Sequence, residues 1–114
     1  MPIPDKDLAQ VTALLDRYCE TKVPRHASDR LRLKHRVDGL AVYLVESRPH
    51  FQHRTRWYDL DVAKFRYRMK DKSWLLYWSD RNDKWHEDDY RPAAKHFQTL
   101  LDHVDRDPTG IYWG

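Results

Sequence analysis

The chain has little of several features that would assign it to a particular class of protein. Only one of its 114 residues is a cysteine, Cys19, which excludes an internal disulfide framework and a cysteine-based zinc cluster and favours a reducing compartment. No stretch approaches the roughly 18 uninterrupted apolar residues of a membrane span. The N-terminal residues 1–5 lack the basic and then apolar order of a secretion signal. We therefore expect a cytoplasmic protein without membrane association.

Aromatic residues are abundant although the chain as a whole is polar. The mean hydropathy is −0.96, yet the chain contains 5 Trp, 7 Tyr and 3 Phe. Such side chains provide large apolar surfaces that disordered segments lack. Two domains would each be too small to be comfortably stable in a chain of this length. These properties predict one folded domain over residues 1–114.

Charged residues are unevenly distributed along the chain. The formal net charge is only +3, but residues 22–86 carry 16 basic and 8 acidic residues. Residues 1–21 carry 2 basic and 4 acidic residues, and residues 87–114 carry 3 basic and 6 acidic residues. A basic segment between acidic ends is informative about partners rather than about the fold.

Apolar periodicity predicts the order helix, strands, helix. Helical spacing covers residues 5–21 and the segment after Pro92. Between them the period is two, which predicts strands at about 31–37, 40–46, 62–69, 74–78 and 84–86. Residues 47–58 have neither period and are predicted to form a long basic loop. We predict an α+β fold: an N-terminal helix, a four- to five-stranded antiparallel sheet and a C-terminal helix, with both helices on one sheet face.

Turn-forming residues suggest how the predicted strands pair. Asp38-Gly39 favours a two-residue hairpin turn, which places Val37 opposite Leu40. A turn near Asp71-Lys72 places Phe65 opposite Trp78 and Arg66 opposite Tyr77.

A series of tryptophan-containing motifs indicates a family. In chain order these are Val62-Ala63-Lys64-Phe65-Arg66-Tyr67, Trp74-x-Leu76-Tyr77-Trp78, Lys84-Trp85-His86 and Val104-Asp105-x-Asp107-Pro108-x-Gly110-Ile111-Tyr112-Trp113-Gly114. With these motifs the chain resembles the small bacterial proteins grouped as the domain of unknown function DUF3024. The resemblance implies a bacterial α+β protein of one domain, and it implies no activity, cofactor or catalytic residue.

The solvent-facing side of the predicted sheet is the first candidate site. It is expected to carry basic side chains interleaved with tyrosine and histidine and no acidic residue: Arg32, Lys34, Arg36, Lys64, Arg66, Arg68, Lys84, Tyr43, Tyr77 and His86. Basic groups neutralise phosphates, and exposed aromatic rings stack on bases. Arginines and lysines also serve simply to solubilise an open sheet face. The leading hypothesis is nucleic-acid binding without catalysis, with Arg66 and Tyr77 as principal residues, and an acidic protein partner is an alternative.

The basic loop is the second candidate. The loop contains Arg48, Arg54, Arg56 and Trp57, and it could extend the basic surface as a flexible arm. His50 and His53 are three residues apart and could reach one metal, but no carboxylate or thiol lies close in sequence. An ordinary solvated loop is the simpler interpretation.

A cluster of acidic residues gives a third, enzymatic alternative. His86 and Glu87 begin an acidic run through Asp89, and Asp59 and Asp61 could approach it in space. Carboxylates at such a cluster could hold Mg²⁺ or Mn²⁺ for a metal-dependent nuclease or hydrolase. The order helix, strands, helix is also the core order of the PD-(D/E)xK nucleases, but no Glu-x-Lys occurs on a predicted strand, which is a departure from their pattern. The leading hypothesis includes no cofactor.

The remaining polar residues have structural interpretations. His96 and His103 are expected at the boundary of the C-terminal helix, partly exposed, and His35 is expected to be a hydrogen-bonded core histidine. Cys19 is expected to flank the first helix. The tail begins with a predicted β-turn at residues 107–110. Burial of residues 111–113 would close the core, and the alternative is an exposed aromatic peptide that docks into another subunit.

Overall fold

The computed structural model describes residues 2–113 and has the predicted order of elements. The helices are α1 (Asp5–Lys22) and α2 (Phe97–Arg106), and a single 3₁₀ turn spans Arg25–Ala27. The strands are β1 (Arg32–Asp38), β2 (Ala41–Pro49), β3 (Trp57–Arg68), β4 (Ser73–Ser79) and β5 (Trp85–Glu87). They form one antiparallel sheet in chain order, which confirms the predicted α+β class. No helix within the described residues is long and apolar enough to cross a bilayer.

Both helices pack against the same side of the sheet. The buried stripes of α1 and α2 form one cluster with the inward-facing strand residues: Val11, Leu15, Val42, Leu44, Phe65, Leu76, Leu100 and Val104. Phe97 of α2 contacts Phe65 and Trp74, with ring centroids 4.5 and 5.2 Å apart. Alternation along the strands leaves every second side chain on the opposite side, the open face, which neither helix covers.

The first hairpin has a different turn from the predicted one. Val37 lies opposite Val42 rather than Leu40, because the two-residue turn is Gly39-Leu40. Gly39 has φ +60°, which a glycine adopts without strain and which a type II′ turn requires at its first central residue. The slip is two residues, so every side chain keeps its predicted face.

The second hairpin is longer than predicted, and the predicted loop at residues 47–58 is wrong at both ends. Strand β2 continues to Pro49 and pairs there with Trp57, so only residues 50–56 connect the strands. A β-bulge interrupts this pairing: Leu44 lies opposite Ala63, but Val45 lies opposite Asp61. The extra residue, Val62, reverses the alternation of the first half of β3 relative to the second half.

The pairing of β3 with β4 also differs from the prediction by two residues. Phe65 lies opposite Leu76 and Lys64 lies opposite Tyr77, so the expected pair of Arg66 and Tyr77 is wrong. The connection is a four-residue loop, with Lys72 at φ +54°. Here too the even slip preserves the faces.

Strand β5 lies one residue out of the predicted phase. Trp78 pairs with His86 and Ser79 with Trp85, so His86 faces away from the open face and Trp85 lies on it. The ring of His86 stacks on Trp78, with centroids 4.7 Å apart. Lys84 precedes the strand. A strand of three residues has too little alternation to determine its own phase.

Asp80 organises the turn before β5. Its carboxylate accepts hydrogen bonds from the backbone N–H of Asn82 at 2.8 Å and of Lys84 at 3.0 Å, and it contacts Nε2 of His86 at 2.7 Å. The hydrogen bond from His86, together with those from the backbone, lowers the pKa of Asp80 from 3.8 to about 2.

We expect Asp80→Asn to reduce the acid sensitivity of the fold. Since the folded-state pKa lies below the unfolded one, the stability contributed by the carboxylate is complete above pH 3.8 and is lost as the pH falls towards about 2. Melting temperatures measured between about pH 5 and pH 2 should therefore fall less in Asp80→Asn than in the wild type. Asp89→Asn, at an exposed neighbouring site, is the control; equal acid sensitivity of both variants would contradict the expectation.

The C-terminal residues close the core, as predicted. Gly110 N–H donates to the carbonyl of Asp107 at 3.0 Å, which forms the expected β-turn. Asp107, at φ +45°, accepts from the backbone N–H groups of Tyr112 at 3.1 Å and Trp113 at 2.9 Å. Tyr112 is buried, and Trp113 Nε1 donates to the carbonyl of Val104 at 2.9 Å.

A buried carboxylate connects the tail to the sheet. Asp88 Oδ2 accepts the hydroxyl of Tyr112 at 2.6 Å and lies 3.2 Å from Nε2 of His103. His103 is buried, so its predicted position at an exposed boundary is wrong. His96 is exposed but precedes α2, which begins at Phe97. His35 is hydrogen-bonded as predicted, to Asp16 at 2.6 Å, and is half-buried.

Candidate nucleic-acid interface

The open face carries four aromatic side chains. Tyr43 of β2 and Tyr77 of β4 lie on it as predicted, and the register adds Trp57 of β3 and Trp85 of β5. The rings of Tyr43 and Trp85 are 5.8 Å apart. All four side chains are half-buried, so part of each ring is accessible to a ligand.

Cationic side chains lie over three of these rings. The guanidinium carbon of Arg32 is 4.1 Å from the ring centroid of Trp57, and that of Arg36 is 4.3 Å from Tyr43. Lys64 Nζ is 5.1 Å from the centroid of Tyr77. These cation–π contacts place positive charge beside an aromatic surface in three places across the sheet.

Acidic residues also lie on the open face, contrary to the prediction. The bulge at Val62 turns Asp59 and Asp61 to this side, where Asp59 is 2.8 Å from Lys34 and Asp61 makes two hydrogen bonds of 3.1 Å to Arg36. The hydrogen bond from Lys34 lowers the pKa of Asp59 below its usual value of 3.8. Glu87 lies on this face too, opposite Tyr77.

Of the six predicted basic residues on β1 and β3, three have no carboxylate partner among residues 2–113. Arg68 is engaged by Asp71 through hydrogen bonds of 3.0 and 2.7 Å, and these hold the pKa of Asp71 well below its usual range. With Lys34 and Arg36 also in ion pairs, the cations of the open face available to a ligand are Arg32, Lys64 and Arg66. The charge of the face is therefore smaller than the sequence suggests.

The loop at residues 50–56 lies at the far end of the second hairpin. Arg54 and Arg56 are exposed. The rings of His50 and His53 are 5.5 Å apart, and His50 stacks on Phe51 at 5.0 Å. No group of three potential metal ligands occurs in the described part of the chain.

The proposed acidic cluster is divided between two faces of the sheet. Asp59 and Asp61 are in ion pairs on the open face, whereas His86 contacts Asp80 on the other side. Glu87 lies on the open face, in β5. Within residues 2–113 these side chains do not assemble a site for a metal ion.

Cys19 has the environment of a structural thiol. It packs beside the core, and burial, with smaller contributions from Asp16 and Glu20, raises its pKa from 9.0 to about 11. Because the thiolate is the nucleophilic form, this shift suppresses reactivity at neutral pH.

Trp57 and Trp85 are the site residues that sequence reasoning missed as part of the open face. The sequence pattern predicts Trp57 within the loop and places Trp85 on the opposite face from Lys84 and His86. A signal for Trp57 exists in the sequence: Tyr58, Leu60 and Val62 alternate with aspartates, and the pattern changes phase at Val62-Ala63. Two adjacent apolar residues between alternating segments indicate the bulge that returns Trp57 to the open face.

These features define a class of α+β protein in which both helices cover one face of a five-stranded antiparallel sheet and the other face presents aromatic and basic groups. Over residues 3–114 the chain matches the family model described as Domain of unknown function (DUF3024). The chain belongs to this family, which confirms the resemblance seen in its tryptophan motifs. Comparisons with curated proteins and with solved structures found no similar chain.

Proposed function

We propose that the protein binds single-stranded nucleic acid on the open face of its sheet. The observation that carries the proposal is the set of cation–aromatic pairs on an uncovered sheet surface, Arg32 with Trp57, Arg36 with Tyr43 and Lys64 with Tyr77. Unpaired bases can stack on such rings while neighbouring cations contact the phosphates. A duplex hides the base faces, so the aromatic residues favour single strands.

The charge of the open face sets the expected strength and salt dependence of binding. Arg32, Lys64 and Arg66 are available, while Lys34, Arg36 and Arg68 are held by aspartates. Three phosphate contacts to a single strand correspond to a slope of about −2 in a plot of log affinity against log salt concentration. Base stacking supplies the remaining affinity, since each stacked base contributes about 1–3 kcal/mol.

Fluorescence anisotropy with labelled oligonucleotides of about 12 residues tests the proposal. We expect oligo(dT) and oligo(U) to bind more tightly than a duplex of equal length. Arg66→Ala should weaken binding and make the salt slope shallower by about 0.7, since it removes one phosphate contact. Tyr77→Ala should weaken binding about 5- to 150-fold with little change in the slope, because it removes stacking rather than charge.

Arg17→Ala is the matched control, since this arginine is exposed on α1, on the other side of the sheet. It removes the same charge and should leave binding unchanged. Absence of binding to any single strand at low salt would refute the proposal, as would equal losses in Arg17→Ala and Arg66→Ala.

A further inference from the structure

The first half of β3 has an unpaired edge. Strand β4 pairs with residues 64–68 of β3 and then diverges, so residues 57–63 have β2 as their only neighbour in the described chain. His50 N–H donates to the carbonyl of Arg56, which identifies residues 50 and 56 as a hydrogen-bonded pair. Alternation along the antiparallel ladder then directs the peptide groups of Trp57, Asp59 and Asp61 away from β2. Among residues 2–113, no strand other than β2 pairs with this part of β3.

Charged and apolar side chains alternate along this edge, with the charged ones on the open face. Asp59 and Asp61 lie on the open face, whereas Tyr58 and Leu60 lie on the other side and are 44% and 51% exposed. Large apolar side chains at this exposure beside an unpaired edge are typical of a surface that another strand can cover.

A notch separates this edge from the turn between β4 and β5. It holds a cavity of about 390 Å³ on the open-face side, lined by Asp59, Asp83 and Trp85, and one of about 410 Å³ on the other side, lined by Tyr58, Leu60 and Trp113. Five carboxylates border the notch, those of Glu46, Asp59, Asp61, Asp80 and Asp83. Arg48, Lys34 and Arg36 pair with the first three. Asp80 and Asp83 have no lysine or arginine partner among residues 2–113, and this acidic excess of two charges favours a cationic occupant.

A second copy of the chain is a poor occupant for this edge. Suppose that the β3 edges of two copies paired in an antiparallel arrangement with Leu60 opposite Leu60. Asp59 of each copy would then lie opposite Asp61 of the other. Like charges directly opposite one another on neighbouring strands are destabilising. The aspartates thus disfavour self-association while leaving the backbone groups available.

We propose that the edge of β3 at residues 57–63 binds an extended peptide with alternating basic and apolar residues as an added antiparallel strand. Its backbone would hydrogen-bond to the peptide groups of Trp57, Asp59 and Asp61, as in other cases of strand addition. Its basic side chains would lie beside Asp59 and Asp61, and its apolar side chains would cover Tyr58 and Leu60. This site shares Trp57, and the Arg32 side chain over its ring, with the surface proposed to bind nucleic acid, whereas Lys64 and Arg66 lie outside it.

Binding of a fluorescein-labelled peptide of about eight residues, alternating lysine and valine, tests the proposal. The first control is a peptide of the same composition in which the lysines form one block and the valines another. It should bind at least about tenfold more weakly, because only the alternating peptide places all its lysines on the side of Asp59 and Asp61 and all its valines on the side of Tyr58 and Leu60. An alternating glutamate and valine peptide should not bind. Equal binding of the alternating and block peptides would overturn the proposal.

N-methylated peptides test the backbone hydrogen bonds without altering the protein. In an added antiparallel strand, residues whose side chains face Asp59 and Asp61 direct their N–H groups towards β3. N-methylation of the lysines should therefore abolish binding, while N-methylation of the valines should be tolerated. Equal effects of the two modifications would refute strand addition.

Protein variants separate the contribution of charge from that of the backbone. Asp83→Asn removes an exposed charge at a residue with φ +62°, which asparagine tolerates, and should weaken binding about two- to fivefold. Asp59→Pro blocks an outward N–H and should bind at least about tenfold more weakly than Asp59→Asn, which retains it. Asp89→Asn is the charge-matched control away from the notch.

Formation of a dimer through β3, seen in sedimentation and abolished by Asp59→Pro, would instead assign the edge to self-association and overturn the proposal.

Discussion

Replacement of Asp88 by alanine is expected to lower the free energy of unfolding by about 3–5 kcal/mol. The side chain is 1% exposed, and both of its oxygens are used. Oδ1 accepts the backbone N–H groups of Tyr90 at 2.8 Å and Arg91 at 3.1 Å, and Oδ2 accepts the hydroxyl of Tyr112. Alanine would leave these donors and His103 without their partner in the interior, and a buried donor without a partner is costly.

Urea denaturation followed by tryptophan fluorescence measures this effect. The total stability of such a domain is only about 5–15 kcal/mol, so Tyr112→Phe provides a milder second variant. It removes one hydroxyl from Asp88 and should cost about 1–2 kcal/mol. Asp89→Ala is the matched control, because Asp89 is adjacent and exposed, and its effect should stay within about 0.5 kcal/mol. Equal effects of Asp88→Ala and Asp89→Ala would contradict the structural role of Asp88.

The faces of the central strands could be predicted from the sequence even where the pairing could not. The turns at Gly39-Leu40 and at residues 69–72 each shift a register by two residues from the expected one. Since side chains alternate with a period of two, Arg36 and Lys64 keep their face under such a shift. The partner of each residue changes, however, and this is why Tyr77 contacts Lys64 rather than Arg66.

Shifts of one residue were the source of the errors at the candidate site. The single extra residue at Val62 brings Asp59 and Asp61 to the open face, where they neutralise Lys34 and Arg36. Basic residues counted along the strands therefore overestimate the charge available to a ligand. The same bulge adds Trp57 to the face, so the site has more aromatic surface and less charge than predicted.

The role of Asp88 could not be predicted from local sequence. It lies between Glu87 and Asp89 in an acidic run, and the three residues have similar chemistry. The contacts with His103 and Tyr112, 15 and 24 residues further along the chain, distinguish Asp88 as the buried member. Residue type identifies groups that need a partner when buried, whereas the tertiary fold determines which of them is buried.

The two proposed ligands have opposite charge requirements, and the ion pairs of β3 lie between their sites. Asp59 and Asp61 bind Lys34 and Arg36 on the open face and also border the acidic notch. The cations that remain available lie on β1 and the second half of β3, while the carboxylates surround the first half of β3. Variants of Arg66 should therefore affect nucleic-acid binding alone, and variants of Asp83 should affect peptide binding alone.

Removal of residues 111–114 is expected to lower the free energy of unfolding by at least about 4 kcal/mol. Tyr112 is 8% exposed and Trp113 is half-buried beside the core. Each large aromatic side chain buries about 150–250 Å² when fully covered, and apolar burial contributes about 25 cal/mol per Å². The deletion also removes the hydrogen bond from Trp113 Nε1 to the carbonyl of Val104 and both backbone donors bound by Asp107.

The melting temperature of the chain ending at Gly110 should consequently fall by about 15 °C or more, since each kcal/mol corresponds to about 4–8 °C in a domain of 60–100 residues and somewhat less in a longer one. Phe51→Ala is the matched control for loss of an aromatic residue, because Phe51 is 81% exposed and its removal should leave melting unchanged. Trp113→Phe retains most of the apolar surface but not the indole N–H, and it should cost about 1 kcal/mol. An unchanged melting temperature in the shortened monomer would show that the tail does not close the core and would assign its aromatic residues to contact with another chain.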